Sequence, residues 1–361
     1  MSTPASLLEM PDVVMKRILN YSDIKTLFTL RRVCHGFREY IDSKKPDVAL
    51  TSICFHVTSN GFSCEMGSNT FNHLKIRYMD SRLIYLGPPR EPVENEYLLK
   101  SENPMELFLE DVGRILTHQK SNLSFLSFTV QYMRYIPEYN QLLEFIKNIL
   151  ETRNTPLRAV SFRMSALEQD EVMHMLPLLD ASHISNIQIV ETIINSYVRT
   201  DKFLEIDRII GLDHFKNAKA WESPVFTIRS NFGKIDDFLH FESVVVRFES
   251  ISARDLNLLK EVSLTAFLTT STCNQFDLHY KHFTDGHQFI QTLGEPILEF
   301  NIEEDLFVNK WYFGIPNSSD VILIAYTEPY RQIQFLRGQW IIPDDVVVVE
   351  GDRNEDADLE Q

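Results

Sequence analysis

From about Asn122 to Leu293 the chain passes repeatedly from short runs with period-two apolar alternation to runs with helical periodicity. Leu123 to Val130 alternates as a strand. Tyr139 to Leu150 then sets Leu142, Leu143, Ile146 and Ile149 on one helical face. Leu157 to Met164 is the next strand, and Ser165-Ala-Leu-Glu168 reads as a capping box before a helix through Met175. Ile184 to Val190 precedes a helical stretch from Phe203 to Ile210. Pro224 to Arg229 precedes a short helix at Ile235 to Leu239. Val244 to Phe248 precedes a helix opened by Ser252 with Asp255 in its first turn, and Phe276 to Tyr280 precedes a helix from Gly286 to Leu293. A strand followed by a helix and a second strand implies parallel pairing through right-handed crossovers. The spacing of about 25–50 residues is irregular and the strands are short, which favours a leucine-rich-repeat-like arc over a nucleotide-binding sheet. No G-x-G-x-x-G or Walker loop follows any of these strands.

The flanks differ in character. Ile53 to Val57 and Phe62 to Met66 bracket Asn60-Gly61, a strong hairpin signal. Leu74 to Met79 and Arg82 to Leu86 extend this into a small antiparallel meander. Residues 88–103 are polar and rich in Pro and Glu, and read as an exposed loop. Asn103-Pro104 opens a helix carrying Leu107, Phe108, Val112, Ile115 and Leu116. Beyond residue 294 the pattern is all strand: Ile297 to Ile302, Lys310 to Gly314, Val321 to Tyr326 and Gln332 to Arg337, with a last edge strand at Val346 to Val349. The acidic tail from Glu350 has a disordered composition.

At the front, Leu7 to Ile41 reads as three short helices. Pro11 suits a helix start, Asp23 caps a second helix bearing Ile24, Leu27, Phe28 and Leu30, and Gly36 redirects the chain into a third with Phe37, Tyr40 and Ile41. Lys44-Lys45-Pro46 stops it. Residues 1–50 hold eight Lys/Arg and six Asp/Glu, a net of +2. The chain as a whole is −16, so the remainder is −18. An acidic body of that size argues against a phosphate backbone as main partner and fits protein partners. Four scattered cysteines without a C-x-x-C, no leader-like run and no apolar run of about 18 residues point to a reduced intracellular setting, cytoplasm or nucleus, without membrane.

The order Leu7, Leu8, Pro11, Val14, Ile18, Leu19, Asp23, Ile24, Leu27, Leu30, Val33, Cys34, Phe37, Arg38 and Ile41 resembles the F-box, with Met10 where a Leu before the Pro is usual. The body resembles the FTH domain that follows the F-box in an expanded family of nematode proteins, the F-box A-type. That likeness is carried by Leu157 to Met164 with the helix behind it, Phe215-Lys216-Asn217-Ala218, Phe238-Leu239-His240-Phe241 and Ile251 to Leu256. The resemblance implies docking of Leu7, Leu8, Pro11, Val14, Ile18, Leu19, Leu27, Leu30 and Val33 onto the Skp-type adaptor of a cullin–RING ubiquitin ligase. Cys34 would be a small buried apolar group.

The expected fold class is α+β and α/β: an F-box over 1–47, a meander and helix over 48–120, a strand–helix repeat domain over 121–340 with an all-β end, and a tail over 341–361. The expected role is a non-catalytic substrate receptor that brings a target protein to the ligase. A scaffold that recruits a regulatory protein without its degradation is the alternative. No catalytic constellation, cofactor or metal set is expected. His279, His282 and His287 lack a common focus, and the pairs Cys54/His56 and Cys64/His73 are isolated. No G-x-S-x-G elbow is present, and Asp236-Asp237 and Glu303-Glu304-Asp305 read as solvated charges. Among Trp221, Trp311, Phe313 and Trp340, core positions are expected, with an exposed one a candidate hot spot.

Overall fold

The computed structural model describes residues 9–59, 61–69, 73–79, 82–86, 94–98, 103–131, 136–191, 202–265, 274–301, 306–315, 318–340 and 349–350. The acidic tail therefore lies outside the described residues, apart from its first position. The chain divides into two compact units, essentially residues 1–184 and 185–361, with small exchanges near the boundary.

The first unit begins with three helices, α1 (Asp12–Asn20), α2 (Ile24–Val33) and α3 (His35–Lys44). Asp23 caps α2, its Oδ1 accepting from the Thr26 amide at 2.7 Å. Lys45, at φ +45°, ends α3 in the left-handed region. Strands β1 (Leu50–Thr58), β2 (Gly61–Ser68), β3 (Leu74–Met79), β4 (Arg82–Leu86) and β5 (Glu94–Leu98) follow as an antiparallel meander. Gly61, at φ +107°, makes the first hairpin possible. A Cβ there would stand 2.2 Å from the Tyr78 carbonyl oxygen.

Strand β5 corrects the expectation of a loop over 88–103. Its backbone pairs with β4 from Glu94 opposite Leu86 to Leu98 opposite Arg82. Pairing with a preformed neighbour outweighs the weak strand propensity of Glu-Asn-Glu.

Helix α4 (Pro104–His118) starts where Asn103 Oδ1 accepts the Met105 and Glu106 amides. Next come β6 (Leu123–Val130), α5 (Ile136–Glu151), β7 (Ala159–Ser165) and α6 (Gln169–Met175). Strands β1, β6 and β7 run parallel, as the strand–helix alternation requires. The order within this unit is β5-β4-β3-β2-β1-β6-β7. Ile53, Phe55 and Val57 are buried on one face of β1. Phe108 of α4 packs there against Phe55, Phe62 and Tyr78, with ring centroids 6.2, 5.3 and 5.2 Å away.

The Ser165 capping box does not form. Ser165 is the last residue of β7; its Oγ accepts from the Val130 amide at 3.3 Å and its carbonyl accepts from the Tyr139 hydroxyl at 2.8 Å. A sheet neighbour has taken the oxygen that a cap would need.

The second unit holds β8 (Asn186–Val190), α7 (Asp207–Ile210), α8 (Asp213–Asn217), β9 (Ala220–Ile228), a 3-10 turn at Ile235–Phe238, β10 (Ser243–Ser252), α9 (Ala253–Thr265), β11 (Gln275–Thr284) and α10 (Gly286–Leu293). Strands β8 to β11 are parallel. The all-β end is β12 (Ile297–Asn301), β13 (Leu306–Gly314), β14 (Val321–Thr327), β15 (Gln332–Gly338) and β16 (Val349–Glu350). It extends the sheet: β15 pairs antiparallel with β11, and β14, β13 and β12 follow outward.

One detail of this unit differs from the sequence reading and another agrees with it. Phe203 is not helical but bridges Thr227, and only Asp207–Ile210 forms a turn of helix. The Ser252/Asp255 cap does form: Asp255 Oδ2 accepts the Ser252 amide at 2.8 Å and its hydroxyl at 2.7 Å.

Candidate functional site

The N-terminal helices close on a small apolar core of Met15, Leu19, Ile24, Leu27, Phe37 and Ile41, all buried. Polar ties hold the helices around it. Arg31 of α2 makes two hydrogen bonds to Asp42 of α3, Nε to Oδ1 at 2.7 Å and Nη2 to Oδ2 at 2.9 Å. Tyr40 donates to Asp12 Oδ1 at 2.8 Å, and Lys44 Nζ lies 3.1 Å from the same oxygen, joining the two ends of the module. These bonds hold the Asp12 carboxyl below its usual range.

With the core filled, apolar groups remain outside it. Val13 is 78% exposed and Val33 63%, and Met10, Val14, Tyr21 and Cys34 are exposed with them. Pro11 caps the start of α1 and is exposed; Ile18 and Leu30 are half-buried.

The module is anchored to the rest of its unit. Asp47 accepts the amides of Ala49 and Lys120 at 3.0 and 2.9 Å and also the Ser121 hydroxyl. Burial raises its pKa, but these bonds win and hold it low. Gln119, fully buried, gives Nε2 to the Leu50 carbonyl at 2.9 Å and takes the Leu50 amide on Oε1 at 3.1 Å. One side chain thus satisfies both backbone groups at the head of β1.

In the second unit an aromatic cluster gathers the residues that looked diffuse in sequence. Phe215 meets Trp221, Phe238, Phe241 and His240 at centroid distances of 5.2, 5.6, 4.9 and 5.4 Å. A ring nitrogen of His240 is 2.9 Å from the Phe215 carbonyl oxygen. Trp221 is fully buried and bonds the Ser223 hydroxyl at 2.8 Å.

Against known families, the model of the F-box domain matches residues 7–48 and that of the FTH domain matches residues 140–294. The chain is an F-box/FTH protein. No curated protein and no solved structure matches it. An F-box implies binding to a Skp-type adaptor and a role in a cullin ubiquitin ligase, and F-box proteins are generally non-catalytic subunits. The FTH match runs from α5 through α10, so Phe215, Trp221, Phe238 and Phe241 are its core rather than its surface.

The F-box residues expected to dock divide into three groups. Leu7 and Leu8 lie outside the described residues. Pro11, Val14 and Val33 are exposed, and Ile18 and Leu30 half-buried. Leu19 and Leu27, each 1% exposed, point into the helical core and support the outer face without forming it. Cys34, expected to be buried, is exposed at the end of α2, where it starts α3 from an extended conformation.

Val13 and Tyr21 were missed as surface groups. The signal lay in Met15 and Leu19: four residues apart, they mark the inward face and turn Val13, Val14 and Tyr21 away from it.

Among the described residues no group of three or more His, Cys, Asp or Glu is placed to hold a metal. His279 lies 3.5 Å from Asp277, and His287 meets Gln291 at 3.1 Å. Trp311 and Phe313 are buried with Trp221, while Trp340 is 40% exposed. No described helix is long and apolar enough to cross a membrane.

Proposed function

We propose that this protein is a substrate receptor: the F-box docks on a Skp-type adaptor, and the FTH-bearing body holds a protein to be ubiquitylated. The observation that carries the reading is the exposed apolar face of the three helices, Met10, Pro11, Val13, Val14, Tyr21 and Val33, left over after the module has filled its own core. Covering such side chains stabilises by about 1 kcal/mol or more each, so a partner surface is favoured there. Catalysis is then proximity, supplied to an enzyme elsewhere in the ligase. The body is read as leucine-rich-repeat-like strand–helix units, a reading supported within the second unit by four consecutive parallel strands. The proposed divisions remain F-box 1–47, meander and helix 48–120, FTH-bearing domain 121–340 and tail 341–361, with residence in cytoplasm or nucleus.

The test is capture of the purified adaptor by the full chain, comparing wild type with Val14→Asp plus Val33→Asp. Both sites are on the surface, so the variant retains its fold and loses the adaptor. Equal capture would sink the docking assignment. Leu19→Asp is uninformative because it buries a charge in the module.

A further inference from the structure

Strand β12 ends the sheet in the second unit. It pairs on one side with β13, from Ile297 opposite Lys310 to Asn301 opposite Leu306, and no described strand lies on its other side. Strand β16 joins β13 only at Phe313 and Gly314, past the end of β12. Among the described residues, the outer backbone edge of β12 is therefore open to an added strand.

Side chains two apart on a strand share a face. Leu298 and Phe300 stand on one face of β12, and Phe307 of β13 lies directly opposite Phe300, with ring centroids 5.0 Å apart. Further along the same face of β13, Trp311 is buried, its Nε1 donating to the Gly294 carbonyl at the end of α10 at 3.1 Å. The helical cover ends there. Leu298 is 60% exposed, and Phe300 and Phe307 are exposed beside it, so the apolar face runs on to the open edge.

The charge around this edge is negative. Glu299, exposed on the opposite face of β12, is tied to Lys310 of β13. From Glu295 to Gly314 the sequence holds five acids, and Lys310 is its one Lys or Arg. The neighbouring elements do not reverse this. Helix α10 and β14 carry no Asp, Glu, Lys or Arg, α9 carries two acids and two bases, the β14–β15 turn carries Glu328 and Arg331, and β16 adds Glu350. A second copy pairing antiparallel with Leu298 opposite Phe300 would set Glu299 against its own counterpart, a repulsive pair.

We propose that the outer edge of β12 takes up an extended segment of the recruited protein as an added strand, with apolar side chains over Leu298 and Phe300 and Lys or Arg between them facing Glu299. Backbone pairing holds such a segment, and its alternate side chains select it. This rests on the reading that the chain recruits a protein. It goes beyond that reading by placing the contact on the all-β end, which the FTH match, ending at residue 294, does not reach.

The experiment is fluorescence anisotropy on the full chain. The probe is a fluorescein-labelled peptide of about seven residues in which Lys and Val alternate, long enough to span β12. A peptide with Glu in place of Lys, and the Lys/Val peptide N-methylated throughout, serve as comparison probes. The Lys/Val peptide binds, and both comparison peptides bind at least about tenfold more weakly. Leu298→Gln with Phe300→Gln weakens binding at least about tenfold and Glu299→Gln about threefold, while Val160→Gln, at an exposed position of β7, changes nothing.

No binding of the Lys/Val peptide to wild type overturns the proposal, as does equal binding of the N-methylated peptide or equal affinity for the double variant. So does a wild-type dimer in sedimentation that the double variant makes monomeric, which would assign the edge to a second copy. Binding that appears only when residues 351–361 are removed would assign the edge to the chain's own tail and also overturn it. If the double variant disturbs the far-UV circular dichroism, Phe307→Gln on β13 reads the same patch with β12 unaltered. Adaptor capture on the same preparations reports separately on the docking reading, since none of these residues lies in the F-box.

Discussion

The Tyr78 hydroxyl donates to Asp111 Oδ2 at 2.8 Å, while Arg114 Nη1 donates to Oδ1 of the same carboxylate at 2.9 Å. Asp111 is almost wholly buried on α4, and the meander and the helix share its charge. Burial raises its pKa against the bond from Tyr78 and the fields of Arg32 and Arg31. Tyr78→Phe removes one bond and costs about 1 kcal/mol; Asp111→Ala removes the bonds to both Tyr78 and Arg114 and costs about 3 kcal/mol. Urea midpoints at neutral pH check the order.

The same carboxylate gives a pH signature. Its folded pKa is above the unfolded one, so its favourable contribution is complete below the unfolded value and is lost as pH rises through the folded value. The stability difference between wild type and Asp111→Asn therefore shifts in favour of the variant as pH climbs through that window. A difference that stays flat from pH 3 to 7 would show that Asp111 titrates as it does unfolded.

His118 behaves in the opposite sense. Burial lowers its pKa, opposed by a hydrogen bond with the Pro46 backbone. A base with a depressed folded pKa contributes stability above its unfolded value, near 6.5, and loses it as pH falls through the folded value. His118→Gln flattens the decline in melting temperature on acidification below about pH 6.5. Parallel melts of variant and wild type in that range test it.

Phe215 is the hub of the FTH core, touching four aromatic rings. Phe215→Ala costs about 3–5 kcal/mol, and Phe215→Leu, which keeps most of the volume, less. The loss is read from the second unit's unfolding, followed through the buried Trp221.

What could be read from the sequence was local. Pro11, Asp23 and the Val33-Cys34 pair specify short helices by capping and spacing, and Asp255 does so for α9. Parallel pairing followed from strand–helix alternation alone. Three readings failed where a distant partner decided the outcome: the Val130 amide took the Ser165 oxygen, β4 recruited β5, and Thr227 drew Phe203 into a bridge. Within the F-box the sequence leaves the inward and outward residues undivided. Leu19 and Val14 both fit a helical stripe, and only the core formed with Ile24, Leu27, Phe37 and Ile41 decides which of them is inside.

Cys34 turns that last distinction into a measurement. It is exposed at the junction of α2 and α3, beside Val33 on the leftover apolar surface. Cys64 is fully buried, and burial pushes the Cys54 thiol up to about 11, so neither forms much thiolate at pH 8. In a Cys273→Ser background, a thiol reagent at pH 8 should therefore modify one cysteine quickly, and Cys34→Ser should remove that phase. Cys64 should react only on unfolding. If the adaptor covers the face formed by Val13, Val14 and Val33, saturating adaptor should slow the Cys34 reaction at least about tenfold, while Val14→Asp with Val33→Asp should keep it fast. A Cys34 rate unchanged by bound adaptor would place the contact on another surface of the three helices.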